Sequence, residues 1–220
     1  MGSAERTTRR VVDLTRLRPE AVLAALRDPG VLFNIGLRLA ILAFTVDALI
    51  NAADPRFEGK ALGPRNVGIM LGFSMLFPIV YLVARRWRTY PFWFDDLYLS
   101  IFALDMAGNS LNLYNTVPWW DHIPHFHGPG ALSMVLMGVF GMGAMGAAGL
   151  ATILHVALEC HEFYGDVLLG TKNVKDLWDT VNDLSYGLGG VLIYTVLFRR
   201  FGFTRRRRAK PDKRTASSRR

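Results

Sequence analysis

Five apolar blocks run through the chain, and at 1.5 Å per residue each is long enough to approach or cross the hydrocarbon of a bilayer. They are Val31–Asn51, Asn66–Ala84, Leu97–Tyr114, Gly130–Phe163 and Val181–Phe198. The fourth, at 34 residues, is too long for one ordinary span and short for two. Its middle holds Gly141, Gly143, Gly146 and Gly149, four glycines within nine residues. Such a run lowers helix propensity and permits a tight turn, so the block is divided there. The pattern predicts an all-α fold, a polytopic membrane helix bundle of about six transmembrane helices.

Charge supports the even number. Residues 1–30 carry six Lys/Arg against four acids, and residues 199–220 carry eleven against one, Asp212. The net charge of +8 therefore belongs to the ends, because 31–198 holds nine basic and thirteen acidic residues. Lys/Arg near helix ends mark the cytoplasmic side. The basic N-terminus, Arg85-Arg86-Trp87-Arg88 and Arg205–Arg208 share that side only if six helices cross, which puts both termini in the cytoplasm. Arg56, Lys60 and Arg65 fall on the other side, partly balanced by Asp54 and Glu58.

The organisation expected is a basic N-terminal segment at 1–30, a transmembrane domain at 31–198 and a basic cytoplasmic tail at 199–220. Pro19–Arg27 reads as a short amphipathic helix ended by Asp28-Pro29-Gly30, and no cleavable signal peptide is visible in 1–30. A basic tail beside a membrane helix attracts anionic lipid, at about 1 kcal/mol per residue near the surface, so lipid rather than nucleic acid is the expected partner. The expected location is a cell membrane, as a multi-pass protein of a bacterial inner membrane. Trp87, Tyr90, Phe92, Trp93 and Phe94 at one boundary, and Trp119 and Trp120 at another, read as interfacial anchors.

The polar residues within the apolar region are concentrated. All five histidines lie between 122 and 161, and Thr89–Phe198 holds ten acids against Lys172 and Lys175. Each charge in a span costs roughly 2.5–3.5 kcal/mol on insertion scales, so these acids need a reason. In the third predicted helix Asp105, Asn109 and Asn112 are spaced to share one face. In the fifth, His155, Glu159, Glu162 and Asp166 do the same, and Asp176, Asp179 and Asp183 lead into the sixth. Asp121, His122, His125 and His127 precede the fourth. With six spans these four segments meet in the outer half of the bilayer.

Histidines with carboxylates can ligate a divalent metal such as zinc, act as general acid and base, or pass protons and cations. The candidate metal ligands are His125, Asp121, Glu159, Glu162, Asp179 and Asp183. Candidate acid–base groups are Glu159, Glu162, Asp179 and Asp183, with Asp105, Asn109, Asn112 and His155 as the remaining polar core. No HExxH, Gly-x-Ser-x-Gly or phosphate-binding glycine loop occurs. Blander roles compete with these. Asp176 is a candidate N-cap, His122 and His127 suit a wet loop, and Cys160 reads as a small buried residue. Arg38 and Asp47 are too far apart on one helix to pair, and Arg38 is expected to snorkel inward.

Tyr114, Trp120, Asp121, His125 and Phe126 precede one helix, and Glu159 and Glu162 lie in the next. Gly170, Thr171, Asn173, Val174, Asp176, Trp178, Asp179, Thr180, Asp183 and Leu184 follow, before a glycine-rich helix. This order resembles the YjdF-type bacterial inner-membrane proteins, a family without assigned function and VanZ-like in pattern. The resemblance covers about 95–195 and implies a membrane bundle with a polar core. Here Gly128 and Gly130 flank Pro129 where the family has a glycine four residues after the histidine, and His122, His127 and His161 are additional. Three functions fit the residues: a metal-dependent enzyme acting on a lipid or lipid-linked substrate at the outer leaflet, an ion- or proton-coupled transporter, and a non-catalytic membrane scaffold.

Overall fold

Asp28 caps the first helix, its carboxylate accepting the Gly30 N–H at 2.8 Å. Pro29 occupies the first helical position, where a missing N–H costs nothing. Helix α1 then runs Pro29–Ile50. The computed structural model describes residues 27–60, 62–86 and 89–202. The expected Pro19–Arg27 helix, apart from Arg27, and the Arg205–Arg208 cluster lie outside the described residues. Every regular element among the described residues is helical.

After a 3₁₀ turn at Pro55–Phe57, α2 runs Leu62–Val83. A π turn at Ile69–Phe73 interrupts it. Four further helices follow, α3 at Phe92–Ser110, α4 at His122–Gly138, α5 at Ala144–Leu169 and α6 at Leu177–Leu197, with one isolated turn at Leu113–Thr116. The long apolar block does divide in its glycine-rich middle, between Gly138 and Ala144, with Gly141 in the left-handed region at φ 69°. Four of the helices are long and apolar enough to cross a membrane: α1, α2, α5 and α6, the last counted to Phe201. Large apolar side chains such as Leu39, Leu82, Ile153 and Leu192 face outward from them.

Several helices start earlier than the apolar blocks do. α4 begins at His122 rather than Gly130, so His122, His125 and His127 are helical and not part of a wet loop. α6 begins at Leu177 because Asp176 caps it, accepting the Asp179 N–H at 2.9 Å. Asn112 lies beyond α3, with φ 58°, where it donates its N–H to the Asn109 carbonyl and turns the chain. The polar stripe on α3 therefore ends at Asn109.

The chain divides into two compact units, Met1–Asn112 and Leu113–Arg220. In the first, α1 packs on α3 and α2 around Ile41, Leu99, Ala103 and Met106. The basic residues of the 52–65 loop are all engaged there. Arg56 pairs with Asp47 at 2.8 Å, Arg65 with Asp105 at 2.8 Å, and Lys60 bonds Asn109 at 3.1 Å. The second unit packs α4 and α5 with α6 around Leu136, Met137, Ala147, Ala151 and Val191.

The α4–α6 contact depends on glycine. A Cβ on Gly190 would lie 1.8 Å from the Phe126 carbonyl oxygen, and one on Gly187 would lie 2.2 Å from the His155 ring. Gly130 on α4 is likewise closed in, by Tyr194 at 2.8 Å and by the Gly190 carbonyl at 3.0 Å. Small residues let helix backbones approach in a membrane, where packing replaces the hydrophobic drive. Gly190→Ala places a methyl group against backbone that cannot rotate away. It should destabilise the fold by about 3 kcal/mol, the upper end of ordinary overpacking, read as a lowered unfolding temperature in detergent.

Candidate functional site

The α4–α6 approach carries His125 into the second unit, between α5 and α6. Asp121 and His125 are four residues apart, as are His155 and Glu159, so each pair shares a helix face. His125 Nδ1 lies 3.1 Å from Glu159 Oε1. Its Nε2 lies 3.5 Å from Asp121 Oδ1 and 3.8 Å from Asp183 Oδ2. The His155 ring centroid is 5.5 Å from that of His125, and His155 Nε2 donates to the Asp183 carbonyl at 3.0 Å. Among the described residues, the two groups able to close on a metal share His125: one adds His155 and Glu159, the other Asp121 and Asp183.

Burial makes this cluster unusual. His155, Glu159 and Asp183 are each at most 6% exposed. His125 Nδ1 and Glu159 Oε1 are closed to solvent and, despite their 3.1 Å separation, are not aligned as a hydrogen bond; neither atom has a hydrogen-bond partner among the described residues. An unsatisfied buried polar atom costs about 1–3 kcal/mol, and more when charged. Two such atoms facing each other can be satisfied by a proton on the imidazole or by a cation that both ligate.

The edge of the cluster is polar and ordered. Lys175 reaches Asp121 at 2.9 Å and Asp179 at 3.2 Å. Asp179 also accepts the Lys175 N–H at 3.1 Å, which completes the cap of α6. Asp166 organises the α5–α6 turn. Its carboxylate accepts from the Thr171 hydroxyl at 2.6 Å and from the N–H groups of Asn173 and Val174 at 2.9 and 2.8 Å. Gly170 supplies the left-handed stop to α5, at φ 69°. The Gly170-Thr171-Lys172-Asn173-Val174 stretch is thus a folded turn that positions the start of α6.

Of the candidate residues, the fold brings together Asp121, His125, His155, Glu159 and Asp183. Asp179 stands at the edge, and Glu162 lies one turn further along α5, half-buried and outside both metal-ligating groups. Asp105 and Asn109 are held within the first unit, Asp105 by Arg65 and Asn109 by Lys60. The additional histidines have separate surroundings. His122 stacks on Tyr186 at 4.1 Å, His127 bonds the Tyr194 hydroxyl at 2.8 Å, and His161 is exposed. Cys160 is exposed on α5, contrary to its reading as a buried residue, because the buried face of that helix runs through Ala151, His155 and Glu159.

Arg38, expected to snorkel inward, has defined partners. Its guanidinium pairs with Asp95 at 2.6 Å and donates to the Ser74 carbonyl. That carbonyl is available because Pro78, four residues on, has no N–H to return to it. Asn34 joins Asp95 and Asp96 to the same network, at 2.7 and 2.8 Å. These residues were missed because Asp95 and Asp96 stand at the edge of an apolar block and read as flanks. The Asn34/Arg38 spacing of four was the available signal.

A model of the family described as "Predicted membrane protein (DUF2238)" matches residues 36–202. No curated protein and no solved structure matches the chain.

The tie at the edge of the site has a defined pH window. Burial disfavours the Asp121 charge, but hydrogen bonds from His125 and Lys175 outweigh that and hold its carboxyl down at about 2. Desolvation likewise opposes the Lys175 charge, yet Asp121 and Asp179 raise it above the ordinary lysine range. A lowered carboxyl stabilises fully above about pH 4 and loses this as pH falls toward 2. A raised lysine stabilises fully below about pH 10 and loses this above its folded value. Lys175→Met should destabilise the fold by no more than about 1 kcal/mol for so exposed a lysine, read as a slightly lowered unfolding temperature. Thermal scans of the two proteins should differ between pH 4 and 10 and converge at pH 2.

Proposed function

Because the chain belongs to the family of predicted membrane proteins (DUF2238) whose model spans most of its length, we propose that its second unit is a membrane-embedded metal centre. The centre would hold a divalent cation such as zinc and act on a lipid or lipid-linked substrate. The observation that carries this reading is the pair of buried atoms, His125 Nδ1 and Glu159 Oε1, that face each other without an aligned hydrogen bond. Their 3.1 Å separation is close to the roughly 3.3 Å between two ligands on one tetrahedral zinc with bonds of about 2.0–2.1 Å.

The chemistry of the remaining groups supports the same side of the ring. Were Nδ1 to ligate a metal, Nε2, which faces Asp121 and Asp183, would keep its proton, and these carboxylates would fix the tautomer and raise ligand basicity. His155 supplies a third ligand on giving up its bond to the Asp183 carbonyl. His125, Glu159 and His155 would hold the ion, which would supply Lewis-acid chemistry to water or substrate. Asp183 and Asp179 then serve as acid–base groups, with Glu162 further along α5.

The rest of the proposal concerns setting. Six spans, with α3 and α4 included and both termini cytoplasmic, put Asp121, Lys175 and the exposed Trp119 and Trp178 at the outer boundary of a bacterial inner membrane, within reach of lipid headgroups. The basic ends meet anionic lipid on the opposite side. On this reading the family is the YjdF type, VanZ-like in pattern.

Metal analysis of the full chain purified in detergent tests the proposal. About one divalent ion per chain is expected, lost in His125→Ala and Glu159→Gln. Asp121→Asn, which removes only the support behind His125, should weaken metal affinity about 10–100-fold. A metal-free wild-type protein that takes up no zinc on titration would sink the proposal. If, in addition, neutral isosteres of all the acids left folding intact, the scaffold reading would stand in its place.

A further inference from the structure

The first unit contains a second buried ionic site, which the metal centre does not use. Asp95 is fully buried and Asp96 is 5% exposed. One Asp95 oxygen, Oδ2, receives the Arg38 guanidinium at 2.6 Å, the Tyr90 hydroxyl at 2.5 Å and the Asn34 amide at 2.7 Å. The other, Oδ1, is closed to solvent and has no hydrogen-bond partner among the described residues. The Asn34 amide spends its second N–H on Asp96 Oδ1, at 2.8 Å, and its own carbonyl accepts from Arg38 Nε at 3.2 Å. Arg38 is the one cation bonded to these two carboxyls among the described residues. Among the described residues, one positive charge against two buried carboxylates leaves an excess of one negative charge, which is costly to hold uncompensated.

We propose that the Asp95–Asp96 pair is a proton-binding site and carries one proton at neutral pH. Asp96 is its holder. Asp95 Oδ2, with three donors directed at it, is the settled carboxylate, whereas Asp96 has a single bond from the Asn34 amide. Groups around the pair come from every packed element: Arg38 and Asn34 from α1, the Ser74 carbonyl from α2, whose Tyr81 ring packs on Tyr90, Tyr90 before α3, and Tyr98 within α3. Tyr90 donates to the pair as a neutral hydroxyl, so Arg38 and the proton together close the charge balance among the described residues. Loading and release of this proton would switch the first unit between a neutral and a singly negative buried site without breaking the Arg38–Asp95 bond.

Infrared spectroscopy of the full chain in lipid vesicles tests this. At neutral pH the wild type should show a protonated-carboxyl stretching band, part of which disappears in Asp96→Asn and remains in Asp105→Asn. Thermal unfolding provides the second readout. Asp96→Asn mimics the protonated state and should keep the wild-type unfolding temperature, while Asp95→Asn strips Arg38 of its counter-ion and should lower it clearly. Loss of the band component in Asp96→Asn together with wild-type stability supports the proposal. A band unchanged in Asp96→Asn would overturn it, and so would destabilisation of Asp96→Asn as severe as that of Asp95→Asn, the sign of an ionised Asp96 held by a bound metal cation.

Discussion

The contact of Gly190 with the Phe126 carbonyl is the constraint on which the second unit depends. With a Cβ 1.8 Å from that oxygen excluded, only glycine lets α4 and α6 approach so closely. Gly187, one turn earlier on α6, lies against the His155 ring in the same way. Together they bring α6 down onto α4 and α5, and with it Asp183 to within 3.8 Å of His125. A methyl group at either glycine would move the helices apart before it altered any polar group. The site is thus a consequence of packing between small residues, and its polar side chains occupy the gap that this packing leaves.

Both units solve the same electrostatic problem in different ways. Charge in an apolar interior must be paired, protonated or bound to metal. In the first unit pairing dominates: Arg38 with Asp95, Arg56 with Asp47, Arg65 with Asp105. Those pairs also account for the basic loop at 52–65, whose charges are matched locally and do not contradict the orientation suggested by the basic ends. In the second unit Lys175 is placed at the exposed edge, where it compensates Asp121 and Asp179. The deeper carboxylates, Glu159 and Asp183, are left with histidines as their neighbours, which is why the chemistry concentrates there.

Much of this was legible in the order of residues. Spacings of three and four located the faces carrying His155, Glu159 and Asp183, because helical geometry converts spacing directly into direction. The glycine run located the turn between α4 and α5, and Asp176 was a candidate cap that the fold uses as one. Other features were hidden because they depend on partners distant in sequence. Arg38 and Asp95 are 57 positions apart, and nothing in either segment marks the other as its counter-ion. Asn112 carried the right spacing for the α3 stripe but adopts a left-handed conformation that ends the helix. His122 and His127 looked like loop residues since the apolar run begins later, yet the helix starts wherever its first turn is satisfied.

The sequence by itself determined the class of the molecule. Apolar blocks of membrane-spanning length, helical periodicity and net positive charge confined to the ends leave an all-helical membrane protein, since each of these is a local property of consecutive residues. Tertiary structure alone decided which acids share a site. Asp105, Glu162 and Asp183 look alike along the chain, each an acid on a helical face. One is paired with Arg65, one lies a turn beyond the cluster, and one is buried beside His125. What separates them is the distance of approach between helices. That distance is set by which glycines meet which backbone, and no periodicity within a single helix records it.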